Sequence, residues 1–139
     1  MQIEVKITTW PLNAQRAWPA ELDGVAGARA EFIGLVRREE DGHVITALEY
    51  EAYSPMAENV MRGILEELGR RHECLFVRVT HRVGVVPVGA AAIHVLALAR
   101  HRGAALGLVT EFMDRLKQDV PIWKRRAIPS EEWAASNPT

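Results

Sequence analysis

Ile3, Val5 and Ile7 alternate with polar neighbours, which predicts a half-buried strand over residues 2–8. Residues 11–24 carry Pro11 and Pro19 without a clean period, so a short helix and a loop are expected there. Alternation returns at Ala28, Ala30, Phe32, Gly34 and Val36, a second strand that ends in Arg37-Arg38. Asp41-Gly42 reads as a turn, and Val44 to Glu51 as a third strand; the two runs predict a hairpin with a polar tip. Ser54-Pro55 reads as a helix opening, a hydroxyl cap followed by proline in the first turn. Met56, Val60, Ile64 and Leu68 then recur at helical spacing, predicting an amphipathic helix over 55–71.

Leu75, Val77 and Val79 form the next strand, broken at His81-Arg82-Val83-Gly84 before a short extended piece from Val85 to Val88. Residues 90–99, AAAIHVLALA, are almost wholly apolar, as expected of a central strand covered on both faces. His101-Arg102-Gly103 ends it, and a second helix follows with Leu106, Val109, Met113 and Leu116 on its expected buried face. Pro121 stops that helix, because proline lacks the backbone donor and restricts Val120 before it. An irregular tail containing Trp133 is expected after it, with about 134–139 flexible. The order predicts an α/β (α+β) fold, a two-layer sandwich of a mixed sheet with helices, in one domain spanning 1–139.

The bulk numbers narrow the chemistry. At 139 residues the chain is long enough to bury a core without staples. With 48% hydrophobic residues and a formal net charge of −1, nothing marks a nucleic-acid binder, so any anion site must be a local cluster. One cysteine, Cys74, excludes an internal disulfide and reads as a core residue. No basic-then-apolar leader precedes the first strand, and no apolar run approaches the ~18 residues that span a bilayer, so a cytoplasmic protein without a membrane partner is expected. The five histidines lack His-x-x-x-His spacing, and no Cys-x-x-Cys occurs, so no metal is expected; His94 reads as a packed histidine. The glycines match neither phosphate-loop pattern, and no nucleophile elbow is present.

What remains is cationic: Arg37 ends one strand, His101-Arg102 end another, and Lys117 and Lys124 flank a helix stop. Strand ends and helix stops can gather on one rim of a sheet, where α/β ligand sites tend to lie. Lysine is also favoured at a helix C-terminus by the dipole, so the same pattern fits a plain solvated surface. Trp123 between the lysines can wall a pocket, and a lysine pair sharing it can bind an anion or yield a reactive amine.

FIGLVR, LEYEAYSPMAE, THRVGVVPVG, HRGAA and LKQDVPIWKR occur in this order from about Gly27 to Trp133. Together they resemble the MoaE family, the large, catalytic subunits of molybdopterin synthase. The resemblance implies an α/β-hammerhead-like fold with a small antiparallel β subdomain. It implies a sulfurtransferase that turns cyclic pyranopterin monophosphate into molybdopterin and needs no cofactor of its own. The implied sulfur donor is a small ubiquitin-like carrier ending Gly-Gly as a thiocarboxylate, and the implied assembly is a dimer with one carrier at each end. By position, Lys117 and Lys124 are implied as catalytic, while Leu35, Val36, Arg37, His101, Arg102, Lys117, Lys124, Arg125 and Arg126 are implied to bind the anionic pterin. Arg100, Leu106 and Arg126 stand where the family is expected to have a small or neutral residue, a phenylalanine and an acid. A non-catalytic module binding an anionic metabolite or a ubiquitin-like tail is the alternative.

Overall fold

The computed structural model describes residues 1–13 and 17–130. Its strands are β1 (Gln2–Thr8), β2 (Ala28–Leu35), β3 (Glu39–Glu40), β4 (His43–Ala52), β5 (Cys74–Arg82), β6 (Gly84–Pro87), β7 (Ala91–Ala99) and β8 (Ile122–Pro129), and its helices are α1 (Met56–Leu68) and α2 (Arg102–Asp119). The first sheet runs β1-β5-β7-β2, with β1 parallel to β5 and the other neighbours antiparallel. Ile3, Val77, Ala97 and Ala30 form one row across it, and Val5, Val79 and Val95 the next; both rows pack against α1 and α2. β7 lies between β5 and β2 and is buried along most of its length, as its unbroken apolar run predicts. The result is the mixed α+β arrangement expected.

A second sheet runs β3-β4-β6, with β8 on the other flank of β4. The chain crosses from the first sheet to the second at Gly84, whose φ of 82° few other residues adopt without strain. A small core of Val36, Ile45, Leu48, Val86 and Ala92 joins the two sheets.

Several expectations need correcting. The hairpin between residues 28–36 and 44–51 does not form: β2 pairs with β7, and Asp41-Gly42 turns only the two-residue β3 back onto β4. Alternation marks a strand without choosing its neighbour, and β7 offers β2 a longer apolar partner. The stretch expected to be irregular after Pro121 is β8, laddered on β4 from Ile45 to Ala52. Its charged run is solvent-facing strand, with cross-strand carboxylates opposite the arginines. His81 belongs to β5 rather than to a break after it.

The α1 stripe is Ala57, Met61, Ile64, Leu65 and Leu68, while Met56 is exposed, and no side chain caps the helix; it spans 56–68, and Ser54-Pro55 is a cis peptide ahead of it. On α2 the buried face is Ala105, Leu108, Val109, Phe112 and Leu116, and Leu106 is 57% exposed. At about 100° per residue, Leu106 stands about a third of a turn off the middle of the Ala105-Leu108-Phe112 line. Trp133 and the 134–139 tail lie outside the described residues.

Candidate functional site

A cavity of about 620 Å³ opens where the two sheets and the end of α2 meet. The first sheet contributes Phe32, Gly34 and Leu35 from β2, His81 from β5, and Ala92 and Ile93 from β7. Arg37 enters from the segment after β2, and Tyr50 from β4. Met113, Leu116 and Lys117 come from α2, and Ile122, Trp123 and Lys124 from β8. The break at Pro121 produces this convergence. Val120 leaves the helix in an extended conformation, and β8 starts two residues later, so Lys117 and Lys124 reach one opening from a helix and a strand.

Among the described residues three cations thus border the cavity, and no carboxylate lines it. They are held differently. Lys124 Nζ donates to both carboxylate oxygens of Glu40, at 3.0 and 3.1 Å. Lys117 is exposed and has no ion pair among the described residues. Glu40 therefore supplies the acid beside Lys124 from β3, a role for which the sequence offers no local signal. Arg126 has Nε 3.3 Å from Glu49, and Arg125 lies 3.9 Å from Glu49 and 3.8 Å from Glu51. These contacts tie both arginines along the β4–β8 ladder, outside the cavity lining.

Leu35, Arg37, Lys117 and Lys124 are therefore gathered as expected, and the other predicted site residues are not. Val36 is 3% exposed and turned into the small core between the sheets. His101 and Arg102 are exposed at the start of α2, fifteen residues before Lys117, or roughly 22 Å along the helix axis.

Two cavity residues with titratable side chains had no role assigned from sequence, Tyr50 and His81. Burial, and then the Glu40 charge, push the Tyr50 phenol above its usual range. Burial pulls His81 below the ordinary histidine value, against a smaller opposing effect of its hydrogen bond to the Arg82 backbone. A signal for His81 existed: it continues the inward row of Val77 and Val79, where a polar residue is unusual.

Elsewhere the chemistry is structural. Cys74 Sγ lies 3.4 Å from the Ala104 oxygen, and burial pushes its thiol up to about 11, as suits a packed side chain. His72 bonds Glu111 at 2.9 Å, joining the turn after α1 to α2. Among the described residues no three His, Cys, Asp or Glu side chains group as a metal site, and no helix is long and apolar enough to cross a membrane. A second cavity, about 470 Å³ on the sheet face away from the helices, is lined by Lys6, Arg78 and His94 among others and holds none of the predicted site residues.

Comparisons with known proteins bear on the family and the fold. A family model described as MoaE protein matches residues 7–119. The molybdopterin synthase catalytic subunit of Bos taurus is 36% identical over 121 residues, covering 87% of this chain and 64% of that protein; the chain thus spans just under two thirds of that relative's length. A crystal structure of molybdopterin synthase from Staphylococcus aureus superposes with a TM-score of 0.76 at 28% identity, over 90% of each chain. A complex of subunits 1 and 2 of molybdopterin-converting factor from Helicobacter pylori has the same fold, with a TM-score of 0.70 at 21% identity over 94% of this chain and 90% of that one.

Proposed function

The chain belongs to the MoaE family, and on that footing we propose that it is the catalytic subunit of a molybdopterin synthase. In this reading the 620 Å³ cavity receives a cyclic pyranopterin monophosphate and the thiocarboxylated Gly-Gly end of a small ubiquitin-like carrier. The observation that carries it is the convergence of Arg37, Lys117 and Lys124 on a cavity whose lining, among the described residues, has no carboxylate. Both ligands are anions, and charge-assisted hydrogen bonds to such groups are the strong ones. Lys117, unencumbered, orients the thiocarboxylate and stabilises the charge that develops as sulfur leaves. Lys124 exchanges Glu40 for the substrate phosphate. Trp123 and Leu35 supply apolar wall for the pterin ring. The whole chain acts as one unit in the cytoplasm, with the sulfur arriving on the carrier and no metal required.

His101 and Arg102 join this site through a second copy of the chain. β2 is an edge of the first sheet and exposes Phe32, Ile33 and Leu35. Ala28 pairs with Ala99 at the end of β7, so His101 sits near the opposite end of β2 from Leu35. Two copies joined antiparallel along β2 would carry the partner subunit's His101 and Arg102 to the Leu35–Arg37 end. The geometry favours this dimer because one copy alone leaves those two residues remote from the lysines. Mixing Lys117→Ala chains with Arg102→Ala chains should then restore activity that neither variant has, since a mixed dimer keeps one intact site. No restoration after verified exchange would remove the shared-site arrangement.

The reading is tested by mixing the protein with thiocarboxylated carrier and the cyclic pterin and assaying for molybdopterin. Dithiolene formation without added metal or nucleotide is expected. Tight binding of the pterin or the carrier without turnover would instead favour a non-catalytic binding module.

A further inference from the structure

His81 shares the cavity with Lys117 and Lys124, yet anion binding leaves it without a task. It lies on the helix-facing side of β5, in line with Val77 and Val79, and is only 5% exposed. A buried imidazole there costs desolvation that an apolar side chain would avoid. Its Nδ1 stands 2.8 Å from the backbone oxygen of Arg82. A carbonyl oxygen can only accept, so Nδ1 carries the proton and Nε2 keeps its lone pair. Nε2 has no hydrogen-bond partner among the described residues. Tyr50 meets the ring edge-on, with centroids 5.4 Å apart and planes at 70°. The imidazole is thus oriented from both sheets, by a backbone acceptor in the first and an aromatic ring in the second.

Charged and aromatic groups from several elements share the cavity with His81. Lys117 comes from α2, Lys124 from β8, Arg37 from the segment after β2, and Tyr50 from β4 with Glu40 behind it. Burial disfavours a charge on the ring, against the smaller opposing effect of its hydrogen bond to the Arg82 backbone. A neutral imidazole with a fixed tautomer is equipped to take a proton.

We propose that His81 is a general base of the sulfur-transfer reaction, removing through Nε2 a proton from the water that releases the carrier. The inference rests on the reading of this cavity as the sulfur-transfer site. Once the thiocarboxylate sulfur has bonded to a substrate carbon, the carrier is held as an acyl thioester. Water oxygen bonds to the acyl carbon, the carbon–sulfur bond breaks, and its electron pair moves to sulfur. One water proton passes to Nε2. The second water proton, left on the new carboxylic acid, ionises to solvent, so the carrier departs as a carboxylate, and the imidazolium returns its proton to the new thiolate or to solvent. Atoms and electrons balance with water as the only co-reactant.

The test is single-turnover dithiolene formation across pH, with mass spectrometry of quenched samples, in the wild-type protein and in His81→Gln. Wild type should turn over and lose rate on an acidic limb lying below the usual histidine range. His81→Gln should be slower by about 10²-fold or more, the scale of a lost general base. It should also lack that limb and accumulate the carrier–pterin thioester, with carrier affinity and melting temperature at neutral pH close to wild type. A folded His81→Gln with the wild-type rate and the same limb would overturn the proposal. Should the variant fail to fold, titration of the His81 ring by NMR in the wild-type complex decides: a midpoint matching the kinetic limb supports the assignment, and a mismatch overturns it. A wild-type protein that forms no molybdopterin at all would instead sink the functional reading, and this inference with it.

Discussion

The first sheet and the second bury different chemistry, and the candidate site lies along their seam. Under the helices, Leu65, Val77, Val79, Val95, Leu108 and Phe112 are fully buried, and apolar packing fixes every strand. The second sheet has a far smaller core and carries its charges in the β4–β8 ladder, where Arg125 and Arg126 face Glu49 and Glu51. Lys117 projects from the packed layer, whereas Lys124 projects from the charged one and is tied to Glu40. A rigid wall thus sets the cavity's position, and a polar rim with weak, exchangeable pairs sets its charge. Rigid packing suits positioning, and exposed ion pairs suit trading one anion for another.

The sharpest way to break this contrast is a pair of substitutions. Phe112→Ala in the packed layer should cost about 3–5 kcal/mol in denaturant unfolding, through lost transfer energy and the cavity left behind. Arg125→Ala in the ladder should cost less than about 1 kcal/mol, because its carboxylate contacts are long and exposed. Equal costs would erase the distinction between the sheets.

Lys117→Ala should lower dithiolene formation by about 10²–10³-fold, the loss seen when one donor to a developing charge is removed. Its melting temperature should hardly move, because the ammonium is exposed and Leu116 beside it carries the packing. Lys117→Arg sharpens the point: arginine keeps the charge but cannot serve as an amine nucleophile, so retained activity would assign an electrostatic role.

A few-fold effect is expected at the rim. Glu40→Gln removes the acid that holds Lys124, so the cyclic pterin should bind a few-fold more tightly at low salt, as read by calorimetry. Weaker binding would mean that Glu40 positions Lys124 rather than competing for it.

The gentlest effect is in the pH dependence of stability. Burial holds the folded-state His81 below its unfolded value, so the unfolded chain binds the proton first. Stability should therefore be level above about pH 6.5 and fall as pH drops through the window beneath it. Glu67 and Glu111, whose carboxylates are lowered by their hydrogen bonds to Arg115 and His72, add losses only in stronger acid. His81→Gln should flatten the upper part of that decline, seen as a melting temperature that no longer slips by a few degrees.

Much of this was legible in the chain itself. Period-two runs located β1, β2 and β5, the return after Asp41-Gly42 located β4, and an unbroken apolar run placed β7 at the centre, because a strand covered on both faces has no polar side to show. Pro121 marked the end of α2, and the motifs singled out Leu35, Arg37, Lys117 and Lys124, which the fold gathers at one opening. β8 was hidden because a solvent-facing edge strand with Lys124-Arg125-Arg126 shows no apolar alternation. Its ladder partner β4, with the carboxylates opposite the arginines, lies more than seventy residues away in sequence. Glu40 and Tyr50 were hidden for the same reason, since neither has a neighbour in sequence that reveals its role.

Local pattern therefore determined which segments are strands or helices, where α2 stops and which cations are available, since each depends on residues a few positions apart. Tertiary structure alone decided that β2 pairs with β7, that Glu40 meets Lys124, and that His81 lines the same cavity as the lysines. Those choices depend on which long-range surfaces bury the most apolar area and leave the fewest polar groups unpaired, a sum taken over the whole chain at once.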